Sequence, residues 1–450
     1  MALASGLLVA ALAASSAQEA PAQAPAAPPL VFGVGVDVVA VDASVVGADG
    51  RPVLDLTPAD FRVQVDGRPR SVVSVEYLGR DIEAPAAPAP AAAAATFSSN
   101  EDAPRGRMVL LLVDRGNIGM GHGRDVLKAA DGFIANLAPA DRVALAFVPG
   151  PGQSIEFSGD RDLVRRGLKS VVGQAQRSGY KVPLAEAISH AEGHDELRWN
   201  QFVELTCQAF VIADQVADCG RQLEGDAAQV YLNYRERSLA TQRGLATTFA
   251  ALKRVEGPKT VVLVTEGLGT RSDDEMRDLA TLASEAQITL YVVLLNTQGT
   301  WVDASVGGVN PTTALNEDRE KETSGLFALA GLTRGLVLSA VANPDNAFQR
   351  IGRELMGYYL LGFEPEATDR DGKTHEVRVS VSRPGAAVRA RSLLSIPATP
   401  PSHEAMLASA LRSPLVDRGL PLRATAYVLT EPPGKARLLV AATVGRAQRP

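Results

Sequence analysis

The sequence predicts an α/β protein with a doubly wound, mostly parallel sheet, flanked by small β modules. Three observations support this fold class. Between residues 105 and 357, five apolar runs are separated by segments with helical patterns. On both sides of that stretch, apolar and polar residues alternate, which is typical of strands with one face in water. A Pro- and Ala-rich segment over residues 82–104 separates the first alternating stretch from the α/β part and is predicted to be a linker.

The five apolar runs are continuous, as expected for parallel strands that are covered by helices on both faces. They occupy residues 108–113, 142–148, 260–265, 288–295 and 336–339. The helices between them have recognisable starts. Ser272 and Glu275 have capping-box spacing, and Asn343 stands as an N-cap before Pro344. A mostly helical insertion is expected over residues 183–255 of this domain.

The alternating segments predict β structure before and after the α/β domain. Residues 30–81 are expected to form a small β domain, and residues 358–396 a β-hairpin that extends or flanks the main sheet. After a second linker at residues 397–402, residues 403–450 combine a helical segment with two strand-like runs. Two strands and a helix are too little for an independent β domain, so this last module is predicted to be incomplete.

The start of the chain indicates export. Residues 1–17 are small and apolar and end in Ser-Ser-Ala, which predicts a secretory signal peptide, and residues 18–29 predict a disordered Ala/Pro-rich leader. The mature protein is therefore expected to be secreted or periplasmic, without a transmembrane segment after signal cleavage. The net charge of -6 argues against nucleic acid as a partner, because that binding needs a basic face.

The only two cysteines, Cys207 and Cys219, favour a disulfide in an oxidising compartment. In one straight helix, however, twelve residues would separate them by ~18 Å. Bridged Cα atoms lie within about 7 Å of each other. Either a turn interrupts the helix near residues 213–217, or the thiols are free; the disulfide is the favoured alternative.

Several stretches resemble the bacterial VWFA-related family of exported proteins. They include DLTPADFRVQVDG in the first β segment, MVLLLVD and KTVVLVTEGL in the α/β domain, and GYYLLGFEP directly after it. The resemblance covers most of the chain beyond the signal peptide and is weakest across residues 183–255. It implies a von Willebrand factor A-like domain between β modules.

This resemblance implies a position for a metal-ion-dependent adhesion site, with D-x-S-x-S at the end of the first α/β strand. Asp114 matches the aspartate, but Gly116 and Ile118 stand where the family has serines. Val182 stands at the threonine of the second loop, and Glu266 at the aspartate of the last loop. Because Mg²⁺ needs near-octahedral oxygen ligands, the site is predicted to be degenerate and the protein to have no cofactor. Mg²⁺ at Asp114 and Glu266 is the weaker alternative.

His190 and His194 are spaced like two zinc ligands on one helix face, but Gly193 weakens the helix between them. No third ligand can be named, so a solvated helix end is the favoured interpretation. His122 and His375 are isolated in the sequence and predicted to be exposed.

These observations predict a noncatalytic exported binding or scaffold protein. Its partner is expected to be another exported or cell-surface protein, and the sequence leaves the oligomeric state open. The candidate ligand-binding loop residues are Asp114, Arg115, Asn117 and Glu266, at the ends of two strands where open α/β sheets bind ligands. The alternative is a zinc-dependent hydrolase that uses His190 and His194.

Overall fold

Of the 450 residues, the computed structural model describes 38–47, 51–79, 98–100, 106–150, 154–175, 182–208, 210, 212–270, 272–295, 311–340, 343–399, 402–412, 415, 422–431 and 435–444. All of them belong to one unit, Asp37–Pro450. The predicted signal peptide and leader lie outside the described residues, as does most of the predicted linker at residues 82–104.

The strands are β1 (Val39–Val46), β2 (Phe61–Val65), β3 (Arg68–Arg70), β4 (Val72–Gly79), β5 (Ser98–Ser99), β6 (Met108–Asp114), β7 (Arg142–Val148), β8 (Ile155–Ser158), β9 (Lys259–Thr265), β10 (Ile288–Leu294), β11 (Val337–Ser339), β12 (Gly357–Phe363), β13 (Thr374–Val381), β14 (Ala387–Ala390), β15 (Leu393–Ser395), β16 (Leu422–Glu431) and β17 (Lys435–Val444). The helices are α1 (Arg124–Ala135), α2 (Arg161–Lys169), α3 (Leu184–Ala191), α4 (Glu196–Cys207), α5 (Ala213–Leu252), α6 (Asp273–Glu285), α7 (Pro311–Leu332), α8 (Pro344–Glu354) and α9 (His403–Arg412).

The central sheet has six strands in the order β11-β10-β9-β6-β7-β8. The first five are parallel, and they are the five apolar runs of the sequence, with bounds that agree within a residue or two. Only β8 runs antiparallel, beside β7. Mixed α/β structure with a mostly parallel sheet is therefore confirmed. The sequence missed β8, since four residues are too few to show a period.

Helices cover the two faces of this sheet, and alternate residues of β6 point into two different cores. Val109, Leu111 and Val113 pack in the core that includes residues of α1, α2 and α8. Leu110 and Leu112 pack in the core that includes residues of α5, α6 and α7. Burying one such side chain contributes about 1.5–3 kcal/mol, so both faces of β6 stabilise the fold.

The β segments before and after the α/β domain pair with each other. One sheet has the order β14-β1-β12-β4, the other β15-β13-β2-β3, and their side chains share a single core. The predicted hairpin at residues 358–396 was expected to extend or flank the main sheet. Its strands do not extend that sheet, and β12 and β13 do not pair with each other as a hairpin would. They pair with strands of the predicted β domain at residues 30–81, β12 with β1 and β4, and β13 with β2. Alternation predicts a strand but does not identify its partner.

The insertion is helical, as predicted, and its helices are α3, α4 and α5. α4 ends at Cys207 and α5 begins at Ala213, so the chain turns between the two cysteines. The turn brings the Cα atoms of Cys207 and Cys219 to 6.0 Å, and the disulfide between them is confirmed. The break lies just before residues 213–217, which form the first turn of α5. With 40 residues, α5 is ~60 Å long and runs from the insertion to the central sheet.

The C-terminal residues form α9 and an antiparallel hairpin of β16 and β17. β5, at the end of the predicted linker, adds a short third strand by pairing with β16. Within the described ranges, no helix is both long and apolar enough to cross a membrane.

Candidate functional site

Two predicted site residues lie at the same edge of the central sheet. Asp114 is the last residue of β6, and Glu266 directly follows β9. β6 and β9 are adjacent and parallel, with Val113 opposite Val264, so both acidic residues lie at the carboxyl edge. Their placement at this edge is confirmed.

Asp114 is fully buried and bound by donors from three directions. Its Oδ2 accepts hydrogen bonds from the side-chain amide of Asn117 at 2.7 Å and from the hydroxyl of Thr265 at 2.8 Å. Its Oδ1 accepts from the hydroxyl of Thr241 at 3.2 Å and from the backbone N–H of Asn117 at 3.3 Å. The amide of Asn117 also donates to Thr241 Oγ1 at 2.9 Å. The side chains of the network thus satisfy one another without an external ligand.

Burial raises the pKa of Asp114 to about 6, although the four hydrogen bonds oppose that rise. The network accommodates both protonation states, because the hydroxyl of Thr265 also lies 2.8 Å from the carbonyl oxygen of Gly267. When Asp114 is ionised, Thr265 donates to it. When Asp114 is protonated, it can donate to Thr265, which then donates to Gly267.

Three residues at the implied adhesion site, Gly116, Ile118 and Val182, have no side-chain oxygen and have structural roles instead. A Cβ on Gly116 would lie 2.5 Å from Cδ of Pro149, so this position has no room for a serine. Ile118 is 3% exposed and belongs to the core on the α1 side of the sheet. Val182 is also 3% exposed, but it packs in the core of the helical insertion. Packing therefore accounts for the apolar residues at these positions.

The hydroxyls around Asp114 come from residues that the sequence analysis did not identify. Thr265 is the last residue of β9 and stands beside the predicted Glu266, so a polar residue ending an apolar run was the available signal. Thr241 lies in α5, 127 residues away in the chain. Nothing near Asp114 in the sequence indicates Thr241, since only the path of α5 brings it to the sheet.

Glu266 forms a second group beside the Asp114 network. Its Oε1 accepts from the backbone N–H of Gly119 at 3.2 Å and lies 2.9 Å from Nδ1 of His122. A cavity of about 10 Å³ adjoins Glu266, Asn117 and Gly267. That volume holds about one water molecule.

The resemblance implies that Asp114 and Glu266 would hold Mg²⁺. The surroundings of these two carboxylates do not fit the hydrated ion. Mg²⁺ usually keeps several of its waters and needs octahedral geometry. Here the oxygens of Asp114 are bound by Asn117, Thr241 and Thr265, and the adjoining cavity holds about one water. Among the described residues, no group of three or more His, Cys, Asp or Glu side chains could hold a metal ion.

The other loop residues differ in how accessible they are. The guanidinium of Arg115 lies over the ring of Phe147, 4.6 Å from its centroid, which is cation–π geometry. Asn117 is buried within the network. Met120, which the sequence analysis did not identify, is 67% exposed at the tip of the same loop. An exposed methionine at the sheet edge is a suitable contact for a partner protein, because its side chain adapts to irregular surfaces.

The two histidines of the zinc alternative are placed differently from each other. The ring of His190 stacks on Trp199, with centroids 4.0 Å apart. His194 follows the end of α3 and is largely exposed, with Nδ1 3.8 Å from Glu192. The prediction that His375 is exposed was wrong: it is buried, with its ring nitrogens 2.8 Å from Asp66 and 3.0 Å from Asp371.

A search of protein-family models gives no match for this chain, and a search of curated proteins gives none either. Membership of the VWFA-related family therefore stays a prediction.

Proposed function

We propose that this chain is an exported, noncatalytic binding protein built on a von Willebrand factor A-like domain. In this proposal, the loops at the carboxyl edge of the central sheet hold another exported or cell-surface protein. The strand order of the sheet supports the proposal, because it is that of a doubly wound fold whose winding reverses between β6 and β9. Open α/β sheets bind their ligands at this reversal, outside the carboxyl ends of the strands. Asp114 and Glu266 stand at the ends of those two strands.

The main support for the proposal is the hydrogen-bond network around Asp114, in which all the partners of the carboxylate belong to the chain. Asn117 binds Asp114 through both its backbone and its side chain, which fixes the loop after β6 against α5 and β9. The exposed tip at Met120 then belongs to a loop whose base is rigid. A rigid binding loop loses little conformational entropy when a partner binds.

The closed network also supports binding without a metal. In the implied adhesion site, an ion would complete its coordination with an acidic residue of the partner. Here Asn117, Thr241 and Thr265 take the place of the ion around Asp114. The partner is therefore expected to contact the loop tip through its shape and through Met120, and chelation should not weaken the complex.

Site-specific photocrosslinking in the cell envelope tests this function. A benzophenone amino acid replaces Met120 in one variant and Leu197 in a matched control, since these side chains are 67% and 68% exposed. The proposal predicts a discrete crosslinked protein from position 120 that persists in the presence of EDTA. Equal crosslinking from position 197, or no product from position 120 in the envelope and the medium, would contradict it.

A further inference from the structure

A groove lies on the α5 side of the sheet, between the C-terminal half of α5 and strands β7 and β8. Its volume is about 1060 Å³, and its lining is mainly apolar. Ala144 and Ala146 of β7 and Phe157 of β8 form one wall, and Thr247, Ala251 and Leu252 of α5 form the other. Pockets for ligands usually have an apolar lining with a few well-placed polar groups, so the charges of this groove indicate what it binds.

Two arginines line the groove, one in α5 and one just after its end. Arg243 of α5 and Arg254, two residues past its end, are both exposed. Eleven residues at the rise of a helix would separate them by ~16 Å. In the part of the chain that the structure describes, neither guanidinium has an acidic partner. Glu156 of β8 also lines the groove, but the two arginines leave the lining cationic. The groove therefore has an apolar floor with one arginine towards each end.

The strand beside the groove is at an edge of the central sheet. Among the described residues, β8 pairs only with β7. An edge strand offers backbone N–H and C=O groups to another extended chain, which is a common way to recognise peptides. Together these features favour an extended peptide as the ligand, because a peptide can offer apolar side chains to the floor, two acidic side chains to the arginines and a backbone to the strand edge. A single-headed amphiphile has only one anionic end and no peptide backbone.

We propose that this groove binds an extended segment of a partner protein, with two acidic residues four positions apart and an apolar residue midway between them. An even spacing puts both acidic side chains on the same face of the strand. Four positions at the ~3.3 Å rise of a strand span ~13 Å, and the flexible arginine side chains cover the difference from ~16 Å. The segment would pair with β8 and direct its carboxylates towards Arg243 and Arg254. This surface is separate from the loop site at Asp114, so the inference does not depend on the proposed function.

A fluorescein-labelled peptide, Ser-Asp-Thr-Val-Thr-Asp-Ser, is the probe for anisotropy titrations with the full chain. Arg243→Glu and Arg254→Glu should each weaken binding about tenfold, and the double variant should weaken it about a hundredfold. Arg350→Glu is the matched control, because Arg350 is exposed on α8, which packs on the other face of the sheet. Replacing both aspartates of the probe with asparagine should reproduce the loss.

Thr247→Trp gives a second readout, since an indole at this exposed position should fill the groove and abolish binding while circular dichroism stays unchanged. Deuterium exchange should show that the probe protects the amides of β8. Equal affinity of the wild type and the double variant, or no binding at millimolar protein, would overturn the proposal. So would dodecanoate binding in the groove when the peptide does not, because that result would assign the site to a lipid-like anion.

Discussion

The carboxyl edge of the central sheet and the groove beside β8 differ in how their charged groups are satisfied. At the edge, Asp114 is buried and all its partners belong to the chain. In the groove, Arg243 and Arg254 face solvent without an acidic partner among the described residues. A motif marks the first region and no motif marks the second. The comparison shows that a carboxylate at the edge of a sheet can have all its partners inside the protein, while charged groups that no sequence pattern marks stay exposed in a groove.

The largest effect is expected from supplying the hydroxyls that the implied adhesion site lacks. The triple variant Gly116→Ser, Ile118→Ser, Val182→Thr supplies the missing hydroxyls but should lower the free energy of unfolding by more than about 5 kcal/mol. Two buried apolar side chains become polar, and the new Cβ at position 116 meets Pro149. Urea denaturation measures the loss.

Met120→Ser is the control for this variant, because Met120 is exposed in the same loop. Its effect should stay within about 0.5 kcal/mol. A triple variant that is as stable as the wild type and gains affinity for Mg²⁺ would show that packing does not hold these positions.

The pH dependence of stability tests whether the Asp114 network is as buried as the structure shows. The pKa of Asp114 is raised from 3.8 to about 6 by burial, so between these pH values the folded protein keeps a proton that the unfolded chain has released. This contribution to stability is present below pH ~4 and lost as the pH rises to ~6, a change of about 3 kcal/mol. Asp114→Asn should remove it.

Asp318 also contributes to the pH dependence of stability, because burial raises its pKa to about 6 as well. The contribution of Asp114 is therefore obtained as a difference between two proteins. The free energy of unfolding of the wild type, minus that of Asp114→Asn at each pH, cancels the contribution of Asp318. A difference that does not fall between pH 4 and pH 6.5 would mean that Asp114 is solvated.

Removing the disulfide tests whether the helical insertion supports the two regions, because α5 contributes to both. Thr241 and Arg243 lie in the C-terminal half of this helix, and Arg254 directly follows its end, far from Cys219 near its start. Replacing Cys207 and Cys219 with serine should destabilise the insertion by about 3 kcal/mol, the loss expected for a loop of this length. Deuterium exchange should increase in α4 and the first turns of α5, with unchanged protection around Thr241. Loosening at Thr241 would show that the insertion supports the loop site.

The sequence predicted the parts of the fold that depend on local pattern. Five apolar runs became β6, β7, β9, β10 and β11, and the aspartate that ends one of them marked the edge of the sheet. Partners distant in the chain were not predictable. Thr241 reaches Asp114 only because α5 crosses the sheet, and His375 is buried because β13 pairs with β2. Alternation in each segment alone could not identify that pairing.

Isothermal titration of Mg²⁺ and Mn²⁺ into the wild type and Asp114→Ala shows whether the partners of Asp114 within the chain leave it free to bind a metal. If the chain itself satisfies Asp114, neither metal should give a binding heat that depends on this residue, and neither should raise the melting temperature of the wild type. Thermal unfolding of Asp114→Ala confirms that the variant is folded during the titration. Micromolar affinity in the wild type that is lost in folded Asp114→Ala would contradict the account.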